Sequence, residues 1–345
     1  MHRSFLTLAL ILCAACATQS NQKTSSVEAS NVATIDTKVR LPAARSFTFT
    51  YEVEIPTVAE GTKELKLWVP NPLTIPGTQT VGAMSAVMPP GATMVANGDA
   101  SGLNLIVCVT VPSPKSGSKF SFSWPVMRSE VKSGAFRGAG VTALTDAQKA
   151  DFSRWLQADN LVPIDGKVAD IASRLATKET NTLNIARAIY DYVLADMRYS
   201  KDGTGWGRGD TLWACDSKFG NCTDFHSLFI SLARAKGIPA RFTMGTSVPI
   251  KRGEGPIAGY HCWAEFYIAD VGWIPVDISE ADRDPAMAQY YFGNLTEDRV
   301  SYTVGRDLQF NPKPAKGVIP FFIYPLAEAD GKETEAKRSF KYRDN

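Results

Sequence analysis

Three residue types that together support thiol chemistry follow one another in the second half of the chain: Cys222, His261 and Asp277. A cysteine thiolate is a nucleophile, a histidine can take up and return its proton, and a carboxylate can orient the imidazole. Such a set can catalyse acyl transfer from an amide. We therefore take these residues as candidate nucleophile, base and orienting acceptor.

The sequence around Cys222 predicts a helix that begins immediately before it. Asn221 is a preferred N-cap, and Asp224 can return a hydrogen bond to it as in a capping box. Apolar residues follow at helical spacing, and Gly237 and Pro239 end the helix. Cys222 then lies in the first turn, where unpaired N–H groups and the helix dipole favour a thiolate over a thiol.

His261 and Asp277 are predicted to lie on the two strands of a hairpin. Residues 263–268 and 273–277 have strand character, and the turn between them lies at residues 270–272. Folding about this turn brings Asp277 opposite His261 to within a residue or two. Cross-strand Cβ atoms are about 4.5–5.5 Å apart, which allows an Asp–imidazole hydrogen bond.

Three segments resemble the motifs of the transglutaminase-like superfamily: GNCTDFHSLFISLARAKGIPAR, GYHCWAEFY and GWIPVDIS. The resemblance extends over roughly residues 180–305. This family includes animal transglutaminases, peptide:N-glycanases and many bacterial secreted proteins regarded as cysteine peptidases or amidases. The resemblance implies a papain-like Cys–His–Asp triad and an α+β fold, in which the cysteine helix packs on an antiparallel sheet that carries the histidine and aspartate.

A loop of five glycines precedes Cys222 and is interpreted as one wall of the cleft. In animal transglutaminases a tryptophan upstream of the cysteine helps to bind the oxyanion. The resemblance therefore makes Trp206 and Trp213 candidates for the oxyanion hole or the cleft wall. The alternative is that both are packing aromatics.

The N-terminus has the features of a bacterial export signal. Residues 1–15 combine a basic start with a short apolar run, which predicts a signal peptide rather than a membrane span. Ala14, Ala15 and Cys16 resemble a lipobox, so we expect lipidation at Cys16, with ordinary signal cleavage as the alternative. The prediction is an exported, lipid-anchored protein of the cell envelope, facing the periplasm, that contacts the membrane only through this anchor.

The rest of the chain divides by its patterning. Residues 16–44 predict a flexible linker, and the alternating strands of residues 45–128 predict a β-sandwich domain. Residues 129–310 then form the transglutaminase-like catalytic domain. Residues 311–345 remain as a C-terminal strand and tail, which we expect to fray from Gly331 onward.

Composition narrows the range of partners. A formal net charge of +2, with 21% charged residues, argues against a nucleic-acid partner. No cofactor or metal is predicted. Four cysteines remain besides Cys13 and Cys16, and of these Cys215 and Cys262 could form a disulfide in the periplasm.

Three alternatives compete with the proposed triad. His226 lies one helical turn after Cys222 and could replace His261 as the base. The cysteines, histidines and Asp277 are zinc ligands by type, but they form no Cys-x-x-Cys or His-x-x-x-His pair. Finally, transglutaminase-like folds can serve as catalytically silent binding or scaffold modules, usually with the cysteine or histidine replaced.

The sequence therefore predicts thiol-dependent acyl transfer on amide bonds of a peptide or protein substrate. The same triad serves a cysteine peptidase or amidase, in which water releases the acyl group, and a transglutaminase, in which an amine does so. We expect hydrolysis, because water is abundant. A silent binding module at the cell envelope is the alternative function.

Overall fold

The computed structural model describes residues 43–133 and 140–345 of the chain. The strands are β1 (Ala44–Ile55), β2 (Glu64–Pro70), β3 (Gln79–Val81), β4 (Ser85–Val87), β5 (Thr93–Gly98), β6 (Leu105–Pro112), β7 (Ser118–Ser129), β8 (Val131–Lys132), β9 (Arg198–Tyr199), β10 (Phe219–Gly220), β11 (Ala240–Ser247), β12 (Glu254–Ile257), β13 (His261–Ile268), β14 (Gly272–Val276), β15 (Asn294–Leu295), β16 (Arg299–Val304), β17 (Leu326–Ala329), β18 (Lys332–Thr334) and β19 (Lys337–Asp344). The helices are α1 (Asp146–Asp151), α2 (Lys167–Arg174), α3 (Thr182–Asp196), α4 (Thr211–Ser217), α5 (Cys222–Ala235) and α6 (Ile278–Arg283), with 3-10 turns at Ser153–Trp155 and Pro285–Met287.

Two β-sheets are formed largely by the alternating strands of the N-terminal third. One sheet has the order β12-β19-β1-β7-β3, with β4 also on β7, and the other has the order β18-β17-β2-β6-β5. Every second residue of β1 is buried, and most buried apolar residues of both sheets belong to one hydrophobic core. Trp68, Ile106, Cys108 and Leu326 of the second sheet belong to a smaller, separate cluster. In β1 and β7 the alternation of apolar and polar residues therefore gives one core face and one outer face, as predicted, whereas β2 and β6 are buried on both faces over part of their length.

Both sheets are completed by strands from the C-terminal end of the chain. β17 pairs with β2, and β19 lies between β1 and β12, antiparallel to both. The expectation that the chain frays from Gly331 is therefore wrong. β19 is mostly charged, but its alternate residues Phe340 and Tyr342 are buried, and they anchor the strand. The predicted domain boundaries themselves stay predictions.

A separate four-stranded antiparallel sheet, β14-β13-β11-β16, supports the cysteine helix α5. α5 packs against β13 and β11 on one side and against α2, α3, α4 and α6 on others. All its residues from Cys222 to Arg234 are buried, although the sequence predicted only one buried face. The helix is enclosed because helices cover the sides that the sheet leaves open. The fold class, α+β with a helix on an antiparallel sheet, is confirmed.

The predicted signal peptide, Cys16 and nearly all of the predicted linker lie outside the described residues. In the part of the chain that the structure covers, none of the helices has the length and apolar character needed to cross a membrane.

Candidate active site

Cys222 is the first residue of α5, and the local sequence explains why the helix starts there. The Asn221 side chain accepts a hydrogen bond from the Thr223 backbone N–H at 2.9 Å, and Asp224 Oδ2 accepts one from the Asn221 N–H at 3.0 Å. This is the predicted capping box. The backbone N–H of Cys222 has no acceptor among the described residues, as expected in a first helical turn.

His261 and Asp277 meet across the β13–β14 hairpin. Ala264 pairs with Val276 in this hairpin. If the same register is extended by one residue, Asp277 lies opposite Trp263, which is two residues from His261. His261 Nε2 donates to Asp277 Oδ2 at 2.7 Å. Because this bond occupies Nε2, the other ring nitrogen, Nδ1, remains for the thiol of Cys222.

Asp277 is held from several sides. It is the N-cap of α6, where Oδ1 accepts from the Ser279 hydroxyl and the Glu280 N–H, both at 3.1 Å. Arg299 Nη1 lies 2.7 Å from Oδ2 and forms a fully buried ion pair with it. Burial raises the pKa of Asp277, but His261 and Arg299 outweigh it, so that this pKa lies well below its usual range.

The thiol and the imidazole stabilise each other's charged forms. Burial raises the pKa of Cys222, but contacts with Cys262 and His261 lower it from 9.0 to about 5. Burial lowers the pKa of His261, but Asp277 and Cys222 raise it to about 10. At neutral pH the pair is therefore a thiolate and an imidazolium, the activated form of a nucleophilic cysteine.

His226 is bound by other groups near this pair, and its Nε2 lies 3.7 Å from Asp277 Oδ1. Its Nε2 accepts a hydrogen bond from the Ile278 N–H at 3.1 Å, and its Nδ1 lies 3.6 Å from Cys262 Sγ. Burial lowers its pKa to about 3, so that it is neutral. The geometry therefore favours His261 over His226 as the base, and His226 links the sheet to the start of α6.

Asp224 fastens the glycine-rich loop to the cysteine helix. Besides capping α5, its carboxylate accepts from the Gly207 N–H at 2.7 Å and the Gly209 N–H at 3.0 Å. Gly207 and Gly209 both have positive φ, which a residue with a Cβ rarely adopts. The loop is thus held against the helix beside Cys222, in agreement with its interpretation as a cleft wall.

The two candidate tryptophans of this segment make other contacts. The Trp206 indole N–H donates to the Gly203 carbonyl at 3.2 Å, within its own loop. Trp213 packs edge-on against Phe219, and a Cβ on Gly205 would lie 2.5 Å from its indole nitrogen. An oxyanion role for either tryptophan stays a prediction.

Two residues near the site gave no local signal in the sequence. Arg299 lies on β16, 22 residues beyond Asp277, and is recognisable only from the ion pair. The hydroxyl of Tyr260 bonds Asn221 Nδ2 at 2.6 Å and Thr223 Oγ1 at 2.9 Å, the residues on either side of Cys222. A tyrosine directly before the candidate base was the only available hint.

The positions of the cysteine thiols bear on the proposed disulfide and on the zinc alternative. Cys108, Cys215, Cys222 and Cys262 are all free and buried, and Cys262 faces Cys222 and His226. The prediction of a Cys215–Cys262 disulfide is therefore wrong. Within residues 43–133 and 140–345, no three His, Cys, Asp or Glu side chains are grouped so as to hold a metal ion.

Comparison with known proteins agrees with this architecture. Residues 169–278 match the family described as the transglutaminase-like superfamily. An uncharacterized protein of Haemophilus influenzae (strain ATCC 51907 / DSM 11121 / KW20 / Rd) is 28% identical over 333 residues, which cover 86% of this chain and 89% of that protein. Uncharacterized protein YebA of Bacillus subtilis (strain 168) is 24% identical over 147 residues, 39% of this chain and 20% of that protein.

A solved structure is similar over most of its length. The crystal structure of "a putative cysteine protease" from Cytophaga hutchinsonii has a TM-score of 0.58 at 18% identity, over 88% of this chain and 92% of that one. At this identity the similarity concerns the fold alone. The family match assigns residues 169–278 to the transglutaminase-like superfamily, and the solved structure agrees with this fold.

Proposed function

We propose that the protein catalyses acyl transfer from amide bonds of peptides or proteins, with hydrolysis as the outcome, and thus acts as a cysteine peptidase or amidase. One observation carries the proposal. The buried His261–Asp277 hydrogen bond of 2.7 Å orients an imidazole toward a thiol in the first turn of a helix. The Cytophaga protein's description as a putative cysteine protease is in line with it.

The reaction follows from the charges at neutral pH. The Cys222 thiolate attacks the amide carbon, and the unpaired N–H of Cys222 can donate to the developing oxyanion. Imidazolium His261 then gives its proton to the leaving nitrogen, and the C–N bond breaks, leaving a thioester. Water attacks the thioester with its proton passing to His261, which releases the carboxylic acid and restores the thiolate.

Asp277 keeps the imidazole of His261 in the tautomer that this reaction cycle requires. Its carboxylate holds the Nε2 proton of His261, so that only Nδ1 exchanges protons with the thiol and the substrate. Arg299 and the N-terminus of α6 keep Asp277 ionised, so that it does not remove that proton.

The test compares wild type with Cys222→Ala, using a peptide library and mass spectrometry of the products. The matched control is Cys215→Ala, which removes another buried thiol from the neighbouring helix α4. We expect cleavage by wild type and Cys215→Ala and none by Cys222→Ala, with equal circular dichroism. Cleavage that persists in folded Cys222→Ala protein would refute the proposal, and no Cys222-dependent reaction on any amide would favour the silent scaffold.

Adding a primary amine to the same reactions separates the two ways of releasing the acyl group. Hydrolysis leaves a free carboxyl group on the acyl product, whereas transamidation leaves the amide of the added amine. We expect the free acid as the main product.

We also propose that the protein is exported and anchored to the cell envelope through a lipid on Cys16. The support is the signal-like sequence of residues 1–15 and the lipobox-like residues before Cys16. Mass spectrometry of the mature N-terminus should find a lipid-modified Cys16, and Cys16→Ser should release the protein from the membrane fraction. An unmodified N-terminus at residue 16 would contradict lipidation.

A further inference from the structure

A cavity of about 460 Å³ lies beside the N-terminal end of the cysteine helix. Pockets that bind small ligands typically measure about 300–1,000 Å³ and are mostly apolar. This one is lined mainly by apolar side chains, among them Leu161, Phe321 and Leu326, with Arg208, Lys316 and Glu333 as its charged residues. Larger hollows lie over β1, β7 and β19 and are lined by charged residues of the sandwich.

Two walls of the cavity connect directly to the residues that flank Cys222. Gly207 lines it and is bonded to Asp224, and a Cβ on Gly207 would lie 3.2 Å from Asn221 Nδ2. Tyr324 lines it from the other side and packs edge-on against Tyr260, with ring centroids 5.5 Å apart. The Tyr260 hydroxyl in turn bonds Asn221 and Thr223. The cavity therefore borders on the shell around Cys222.

The walls are held in place by the core. The Phe322 carbonyl accepts from the Thr303 hydroxyl at 2.7 Å, and the Ile323 carbonyl accepts from the Tyr51 hydroxyl at 2.9 Å. The glycine-rich loop also contributes to the lining, and Asp224 holds this loop through Gly207 and Gly209. A cavity with fixed walls exists before a ligand arrives, which reduces the entropy lost on binding.

The segment of residues 321–324 can also meet a peptide backbone. It lies outside the strands, and its four backbone N–H groups have no acceptor in the part of the chain that the structure describes. An extended peptide offers carbonyl groups to such donors and places side chains into pockets on alternate sides.

We infer that this cavity is a specificity subsite that binds an aromatic or long aliphatic side chain of an extended peptide substrate, near the amide attacked by Cys222. The inference rests on the proposed function and names its substrate class. An apolar side chain matches the apolar lining, and the contacts through Gly207 and Tyr324 connect the subsite to Asn221 and Thr223, the residues on either side of the nucleophile.

The experiment uses peptides that are identical except at one position, where they carry Leu, Phe or Ser. Each position is varied in turn. At one position, we expect Leu and Phe to raise kcat/KM by roughly 10- to 100-fold over Ser, the range for burial of one such side chain. Phe321→Ser and Leu161→Ser each remove apolar surface from the cavity lining and should reduce this ratio. Val318→Ser is the matched control, because Val318 is exposed in the same segment and does not line the cavity.

Binding to Cys222→Ala protein, followed by fluorescence anisotropy of labelled peptides, separates this inference from the proposed chemistry. We expect the Leu peptide to bind more tightly than the Ser peptide, and Phe321→Ser in the same background to remove the difference. Equal binding of both peptides, or equal kcat/KM at every position while Cys222-dependent cleavage persists, would overturn the subsite and leave the proposed chemistry standing. A preference for Leu without cleavage would support the subsite and count against the chemistry.

Discussion

The ion pair between Cys222 and His261 predicts how alkylation of Cys222 depends on pH. With a pKa of about 5, the thiol is about 90% ionised at pH 6 and almost wholly ionised at pH 9. The labelling rate of wild type should therefore change little between these pH values. His261→Ala removes the imidazolium that favours the thiolate, whereas the contact with Cys262 remains, so the pKa of Cys222 should rise. The thiolate fraction should then increase between pH 6 and pH 9, by about 500-fold where the pKa returns to 9.0.

The assay measures iodoacetamide labelling of the Cys222 peptide by mass spectrometry at both pH values. Comparing each protein with itself removes the effects of limited access to the buried thiol and of intrinsic thiolate reactivity, which falls with pKa. His226→Gln is the matched control, because His226 faces Cys262 and Ile278, and it should retain the flat profile. A wild-type rate that rises 100-fold or more between pH 6 and pH 9 would refute the ion pair.

Amide cleavage should differ from labelling at high pH. Both require the thiolate, so both should fall as the pH drops through about 5. Cleavage also needs protonated His261, whose pKa is about 10, so that above this pH cleavage should fall while labelling continues. Parallel loss of both activities above pH 10, with the fold intact, would contradict the role of His261 as the acid.

Three further predictions concern residues around the site and the sandwich. Arg299→Met leaves Asp277 without one of its two cationic partners and should cost about 3–5 kcal/mol in urea unfolding. Arg128→Met should cost less, because this buried arginine forms no ion pair with a carboxylate within the described residues and bonds Gln79 and Ser301 instead. Asp224→Asn weakens the attachment of the glycine-rich loop, so that trypsin should cleave this loop faster at unchanged helix content. Removing β19 exposes the paired edges of β1 and β12 and should lower Tm clearly, while an unchanged Tm would mean that the strand frays.

Much of the candidate site follows from local sequence. Asn221, Asp224 and Gly237 define the ends of α5 through short-range hydrogen bonds and a positive φ, and the structure has each of them in its predicted place. The hairpin follows from the alternation of its strands and from a short turn, which sets Asp277 within reach of His261. These features depend on residues that are close in sequence, so they can be predicted from the sequence.

Other features depend on contacts between segments far apart in the chain. A mostly charged C-terminus looks like a frayed tail until β1 and β12 supply partners on both of its edges. Cys262 lies close to Cys222 and forms no disulfide with Cys215, and this arrangement depends on how β13 packs against α5. No local sequence pattern specifies such long-range contacts, because they are determined by core packing and by burial of the whole chain.

The sequence by itself determined the helix that presents Cys222 and the order of the candidate triad, since capping, strand alternation and turns act over short distances. Its resemblance to the transglutaminase-like superfamily implied the α+β class. Only the tertiary structure decided that Arg299 supports Asp277, that His226 is neutral and turned toward Cys262, and that a preformed apolar cavity borders on the cysteine helix. The physical reason is that burial and charge pairing are set by everything that surrounds a side chain, and most of those neighbours are remote in sequence.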